Sequence, residues 1–280
     1  MKTSKTWFIT GASQGIGLEL VKQLLQNENN VIAVTRNSEK LKKALNIDSA
    51  HLLALDMDIT NEESVNKAVN EGINHFGKID FLINNAGYGI VGGIEESSAS
   101  EVQANFDINV FGLLHVTRAV LPFMRKEKSG TIINLSSVFG LIAGAGWGIY
   151  CATKFAVEAL SEALDQEVKP FGLKVIVIEP GYIRTGFLSV ESVISPKNTI
   201  DAYTELTEIR RKHQHDIPGN QIGDPIKVAS TIIKTALLAE PPLRLLLGSD
   251  ALQYANYKVE MLSSGIEQNK EITLSTDYTT

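Results

Sequence analysis

In the stretch YCATK, Tyr150 and Lys154 stand four residues apart. On a helix that spacing puts both side chains on one face, an ammonium within several ångström of a phenol. A free phenol has a pKa of about 10, and a nearby cation favours the phenolate, which brings the group toward the range useful for proton transfer at neutral pH. Such a pair is an acid for reducing a ketone and a base for oxidising an alcohol. An isolated Y-x-x-x-K match more often means a surface tyrosine beside a solvated lysine, so the neighbouring residues decide. Ser137, in INLSSVFG, carries a hydroxyl able to hydrogen-bond a substrate carbonyl. Asn109, in NFDINVFG, is a poor helix former within a helical pattern, and its side chain or a disturbed backbone there could hold a water near Lys154.

A second constellation is made for phosphate. Thr10-Gly11-Ala12-Ser13-Gln14-Gly15-Ile16-Gly17 follows an apolar run and opens a helical pattern. Glycines at such a place let the backbone turn sharply, approach a pyrophosphate and seat the helix on the sheet, while free N–H groups at the helix start face the anion. The Gly-x3-Gly-x-Gly spacing differs from the more familiar G-x-G-x-x-G. At the end of the next strand a carboxylate would accept a ribose 2′-hydroxyl, whereas a cation would pair with a 2′-phosphate. The chain offers Thr35 and Arg36 there, with no acid before Glu39. NADP(H) is therefore expected over NAD(H). Asp58, just before Ile59, is placed to accept from the adenine amino group, and Asn85-Ala86-Gly87 forms a small turn beside the same cleft.

The elements that must position these residues follow from periodicity. Strand-like apolar runs occur at Thr6 to Thr10, Val31 to Thr35, His51 to Leu55, Phe81 to Asn84, Thr131 to Leu135, Lys174 to Ile178 and Leu243 to Leu247. Helical patterns lie between them at Ile16 to Gln26, Glu62 to Phe76, Ser100 to Arg125, Tyr150 to Lys169 and Pro225 to Leu238, the second opened by a Thr60/Glu63 capping box. Near-continuous apolar strands alternating with helices predict a doubly wound α/β (Rossmann) fold, a mostly seven-stranded parallel sheet with helices on both faces. Residues 1–280 read as one dinucleotide-binding catalytic domain. The interval from about 185 to 224 breaks the rhythm and reads as a substrate lid over the carboxyl ends of the strands, and 267–280 as a polar tail, partly disordered or used in subunit contacts.

Together these motifs resemble the short-chain dehydrogenase/reductase family, in its single-domain branch. The matching residues are T-G-x-x-x-G-x-G at Thr10 to Gly17, N-N-A-G at Asn84 to Gly87, Asn109, Ser137, Tyr150 with Lys154, and P-G-x-I-x-T at Pro180 to Thr185, and the likeness spans about residues 5 to 250. The resemblance implies that Tyr150 exchanges the proton, Ser137 orients the substrate oxygen, Lys154 lowers the phenol pKa and binds the nicotinamide ribose, and Asn109 positions a relay water. Ser137 is preferred to Ser136 on the family's spacing to the tyrosine. Pro180, Gly181, Ile183 and Thr185 are implied to place the nicotinamide carboxamide. By the same resemblance the helices at Ser100 to Arg125 and Tyr150 to Lys169 are expected to pair in a homodimer or homotetramer.

Composition bounds the rest. Of 280 residues 44% are hydrophobic and 21% charged, and the formal net charge of -6 with scattered Lys and Arg excludes a general basic field for nucleic acid. A single cysteine, Cys151, allows no internal disulfide or thiolate cluster, and the five histidines form no ligand pattern, so no metal is expected. A reducing cytoplasm fits, with no apolar run long enough to cross a bilayer. Tyr88, Val91, Phe139, Leu141, Ile142, Trp147, Tyr182, Phe187 and Leu188 surround the expected cleft, which favours an apolar carbonyl compound or secondary alcohol. The alternatives are a non-enzymatic NADP(H)-binding redox sensor, which has no need of an intact Ser, Tyr and Lys set, and a sugar-nucleotide epimerase, whose C-terminal portion would be larger.

Overall fold

The computed structural model describes residues 4–189 and 192–278. Met1 to Thr3, Val190 and Glu191 of the expected lid, and Thr279 and Thr280 of the expected tail lie outside the described residues. In chain order the elements are β1 (Thr6–Thr10), α1 (Gly15–Gln26), β2 (Asn30–Thr35), α2 (Ser38–Leu45), β3 (Leu52–Asp56), α3 (Glu62–Phe76), β4 (Phe81–Asn84), β5 (Gly89–Ile90) and α4 (Ala99–Phe106). They continue with α5 (Leu113–Glu127), β6 (Gly130–Leu135), α6 (Gly148–Val168), β7 (Leu173–Pro180), β8 (Val193–Ile194), α7 (Thr204–Arg211), α8 (Pro225–Ala236), β9 (Arg244–Leu247), α9 (Ser249–Gln268) and α10 (Lys270–Leu274).

Seven of the strands form one parallel sheet in the order β3-β2-β1-β4-β6-β7-β9. Their side chains alternate between two cores, as a two-residue period requires. Trp7, Ile9, Val31 and Ala33 face Leu20 and Leu24 of α1 and Ile232 of α8. Phe8, Ile32, Val34 and Leu82 face Val65 and Val69 of α3 and Val116 and Val120 of α5. Strands are added in one direction from β1 to β3 and in the other from β4 to β9, and the cleft opens above the switch point between β1 and β4, at the carboxyl ends of the strands.

Local chemistry departs from expectation in several places. The cap of α3 is Asn61, whose side chain accepts from the Ser64 amide; Thr60 bonds Asp58 instead, its hydroxyl donating at 2.7 Å. A reciprocal capping box joins Ser98 and Glu101 at α4. The expected single helix from Ser100 is α4, a π segment at Asp107–Gly112, and α5. A two-stranded parallel pair, β5 with β8, ties the interval after β7 to the loop after β4. The expected polar tail is helical over most of its described length, in the end of α9 and in α10, and α9 leaves Tyr257, Val259 and Ile266 exposed. No helix among the described residues is long and apolar enough to cross a membrane.

Candidate active site

The glycine turn is held in place by backbone. Gly11 has φ +64°, and a Cβ there would lie 2.9 Å from the Ala86 Cα. At Gly17 an added Cβ would come within 2.4 Å of the Gly11 carbonyl oxygen, so only glycine lets α1 approach this closely. Thr10 locks the neighbouring turn: its hydroxyl accepts from the amides of Asn85 and Ala86 at 2.9 and 3.0 Å, and the Asn85 amide side chain donates to the carbonyls of Thr10 and Gly11. No side chain caps the start of α1, and its first turn holds no acid. Its leading N–H groups are therefore available to an anion, which fits a dinucleotide pyrophosphate.

Ser137, Tyr150 and Lys154 reach the same cleft, of about 530 Å³, from the end of β6 and the first turns of α6. Of the expected cofactor residues, all but Gly17 and Asn109 line it. Gly17 lies beneath the turn. Asn109 is buried in the π segment, its Nδ2 donating to the Tyr88 carbonyl at 2.9 Å and to the Thr153 hydroxyl at 3.0 Å, and its Oδ1 accepting from the Tyr88 amide at 3.0 Å. The helix backbone is thus disturbed where the asparagine sits, as its poor propensity implied. Gly87 brings the two groups together, since a Cβ there would lie 3.1 Å from Asn109 Oδ1 and 3.7 Å from Lys154 Nζ.

The electrostatics differ from the sequence expectation. Burial pushes the Tyr150 phenol above its ordinary value, while hydrogen bonding with Ser137 pulls the other way. Lys154 does not offset this burial: its Nζ donates to the Leu135 carbonyl at 2.7 Å and stands over the ring face, 5.7 Å from its centroid. Burial also pushes the lysine down to about 8, with the Glu158 carboxylate opposing. Glu158 itself is pushed up to about 7 by burial, beside Glu179 and against Arg244, which pairs with both carboxylates and with Glu162.

Two residues that support the site carried no sequence signal. Asp250, in the first turn of α9, accepts from the Tyr182 amide at 2.7 Å and stands so close to Gly181 that a Cβ there would be 2.2 Å from its Oδ1. Glu96, with a fully buried side chain, accepts from the Gly93 amide at 2.8 Å, the Ile200 amide at 3.0 Å and Arg210 at 2.8 Å. Both act across long stretches of chain, so no local spacing announces them.

An open parallel sheet, an uncapped glycine turn at its switch point and a hydroxyl, phenol and ammonium gathered in that cleft define a nucleotide-binding oxidoreductase. The profile of the short chain dehydrogenase family matches residues 5–192. The chain is 37% identical over 278 residues to oxidoreductase BOA17 of Botryotinia fuckeliana, covering 97% of this chain and 99% of that one. It is 36% identical over 242 residues to a 3-ketodihydrosphingosine reductase of Bacteroides thetaiotaomicron, covering 86% of each. A short-chain dehydrogenase structure from Streptomyces avermitilis superposes with a TM-score of 0.91 at 33% identity, over 99% of this chain and 100% of that one. The protein belongs to the short-chain dehydrogenase/reductase family.

Proposed function

We propose that this protein is an NADP(H)-dependent reductase of apolar ketones or aldehydes, with Tyr150 as the proton donor and residues 185–224 as a substrate lid. The observation that carries the reading is the meeting of Ser137, Tyr150 and Lys154 in the cleft that also holds the glycine turn. Because burial raises the phenol, it keeps its proton at neutral pH, the form in which a proton donor must stand. When bound, the cofactor supplies the hydride to the carbonyl carbon. Tyr150 gives its proton to the carbonyl oxygen as negative charge gathers there, and Ser137 donates a hydrogen bond to the same oxygen. Lys154 keeps a positive charge beside the phenol and, with Asn109, holds the path by which a proton returns to it.

NADP(H) is favoured because Arg36 lines the cleft at the end of β2 and no carboxylate lies at Thr35 or Arg36. An apolar substrate is supported by the wall of Phe139, Trp147, Tyr182, Phe187 and Leu188 and by a relative that is a reductase of a keto compound. Pairing of subunits through the π segment and α6 is supported by Phe111 and Phe155, which are 43% and 39% exposed there. The test is a screen of ketones, aldehydes and alcohols for change in NADPH absorbance, with Tyr150→Phe as control. The variant should lose about 100- to 10,000-fold in kcat while binding the cofactor nearly as well as the parent. Full activity in that variant would sink the assignment.

A further inference from the structure

Behind the aromatic wall of the cleft stands His213, on the short π segment Lys212–Asp216 that continues α7. Its Nδ1 lies 2.8 Å from the Ile209 carbonyl oxygen, a group that can only accept, so Nδ1 carries the proton and Nε2 is bare. That bare nitrogen meets two donors. The Trp147 indole N–H donates to it at 3.2 Å, and the Tyr182 hydroxyl lies 2.9 Å away. An indole N–H has no acceptor capacity, which fixes the imidazole in the neutral tautomer.

The two tethered side chains come from different parts of the fold and converge on the one imidazole nitrogen. Trp147 directly precedes α6, its ring edge-on to that of Tyr150 with centroids 5.6 Å apart. Tyr182 follows the Gly181 turn that Asp250 supports. Both line the cleft, and Phe139 packs between them, 5.7 Å from the indole and 6.5 Å from the phenol ring. The polar tips of both side chains are occupied by the histidine.

We propose that His213 is a specificity-determining positioning residue, whose neutral imidazole draws Trp147 and Tyr182 into a closed apolar wall beside Tyr150. The wall admits a plain hydrocarbon chain and turns away the same chain bearing a hydroxyl at that end. The proposal rests on the reductase reading for its biological meaning, although not for its test. Without the acceptor, the indole N–H and the phenol O–H are free to bond a polar group in the cleft. Burial lowers the His213 pKa, so the latch is complete at neutral pH and is lost as pH falls through that lowered value, when a protonated Nε2 meets the indole N–H.

Other charged groups are turned elsewhere. On the histidine's own helix, Arg210 pairs with Glu96 and Arg211 with Glu208 and Asp216, while Lys212 leans on Glu208 and His215 lies two residues on. From α6 come the Tyr150 phenol and the Cys151 thiol, both pushed up by burial, and from α9 Asp250 and Tyr254 act on the Tyr182 phenol. None of the hydrogen bonds described for the His213 ring is to a carboxylate.

The experiment measures binding of methyl nonyl ketone and of its omega-hydroxy counterpart by calorimetry, with saturating NADP+ so that no reduction can occur. In the parent the plain ketone should bind the more tightly. His213→Leu should weaken it about tenfold and narrow or reverse the preference, while His213→Gln, whose carbonyl oxygen can accept from both donors, should restore most of it. Cofactor affinity should be the same in all three. Lowering the pH should weaken the plain ketone's binding to the parent and leave His213→Gln unaffected. An unchanged ratio of the two affinities in His213→Leu overturns the proposal, as does equal loss in His213→Leu and His213→Gln, which would mark a packing role only. If turnover with NADPH fails while these affinities shift as stated, the reductase reading falls and the latch stands.

Discussion

The floor of the cleft and the interval after β7 that we propose as its lid are built by opposite means. At the glycine turn the floor is backbone against backbone: Gly11 against the Ala86 Cα and Gly17 against the Gly11 carbonyl. The lid is pinned by side chains at a few points. Glu96 holds Ile200 and Arg210, Gln14 donates to Ser192 at 2.9 Å, Glu101 accepts from the Lys197 amide at 3.0 Å, and His213 gathers Trp147 and Tyr182. Close-packed backbone has one arrangement, whereas a few polar pins can release together. A dinucleotide offers the same shape each time it binds, and a lid of the kind proposed here would benefit from attachments of the second kind.

The difference is broken most strongly at Glu96. Replacing it with Ala strands a guanidinium that is only 12% exposed, along with the buried Gly93 amide and the half-buried Ile200 amide, at a cost of about 3–5 kcal/mol where the proposed lid meets the loop after β4. Limited proteolysis between 195 and 216 should accelerate and substrate KM should rise, while cofactor affinity, measured by titration, stays near the parent value. Loss of cofactor binding would show that floor and lid are one unit. The complementary change is Gly17→Ala, whose Cβ would sit 2.4 Å from a backbone oxygen. Shifting the turn by about an ångström should lower kcat/KM on the order of 100-fold, through cofactor binding, with lid proteolysis unchanged. At the floor's far edge Arg36→Asp should change the NADPH to NADH preference by about 10- to 100-fold in the ratio of kcat/KM. A clear preference for NADH that the substitution leaves untouched would remove the 2′-phosphate assignment.

The same contrast explains what the sequence could disclose. All seven strands of the main sheet were legible, because runs such as TWFIT and VIAV are apolar on both faces and only a sandwiched parallel strand satisfies them. The floor was legible for a related reason: glycine spacing is a local requirement of a local turn. The side-chain attachments of the proposed lid were not legible. Arg210 finds Glu96 across 114 residues, and His213 finds Trp147 across 66, so neither partner could be inferred from spacing. Elements decided by small margins were also missed. The short, charged α2 and the two-residue strands β5 and β8 carry too little periodicity to read, and Asn61 outcompeted Thr60 as a cap because Asp58 had already engaged the threonine. Tyr150 and Lys154 were correctly brought onto one helix face, yet their proton affinities depended on burial, which no spacing records.

That burial yields the smallest effect, and one that separates the two titrating groups of the floor. Lys154 is a base whose charged form burial disfavours, so its proton is held below about 8 and lost above it. Burial raises the phenol, so over the same range Tyr150 keeps its proton. An alkaline fall in kcat/KM for reduction should therefore begin near 8 and deepen by about tenfold per pH unit, and it should report the lysine. Lys154→Arg separates the cases, because a guanidinium stays charged throughout: the variant's activity at neutral pH will be lower, but its alkaline limb should move beyond the range where the parent declines. Should the limb stay where it was, the titrating group would be one outside this pair. Glu158, pushed up to about 7 behind the lysine, would be the next to replace, with Gln in its position.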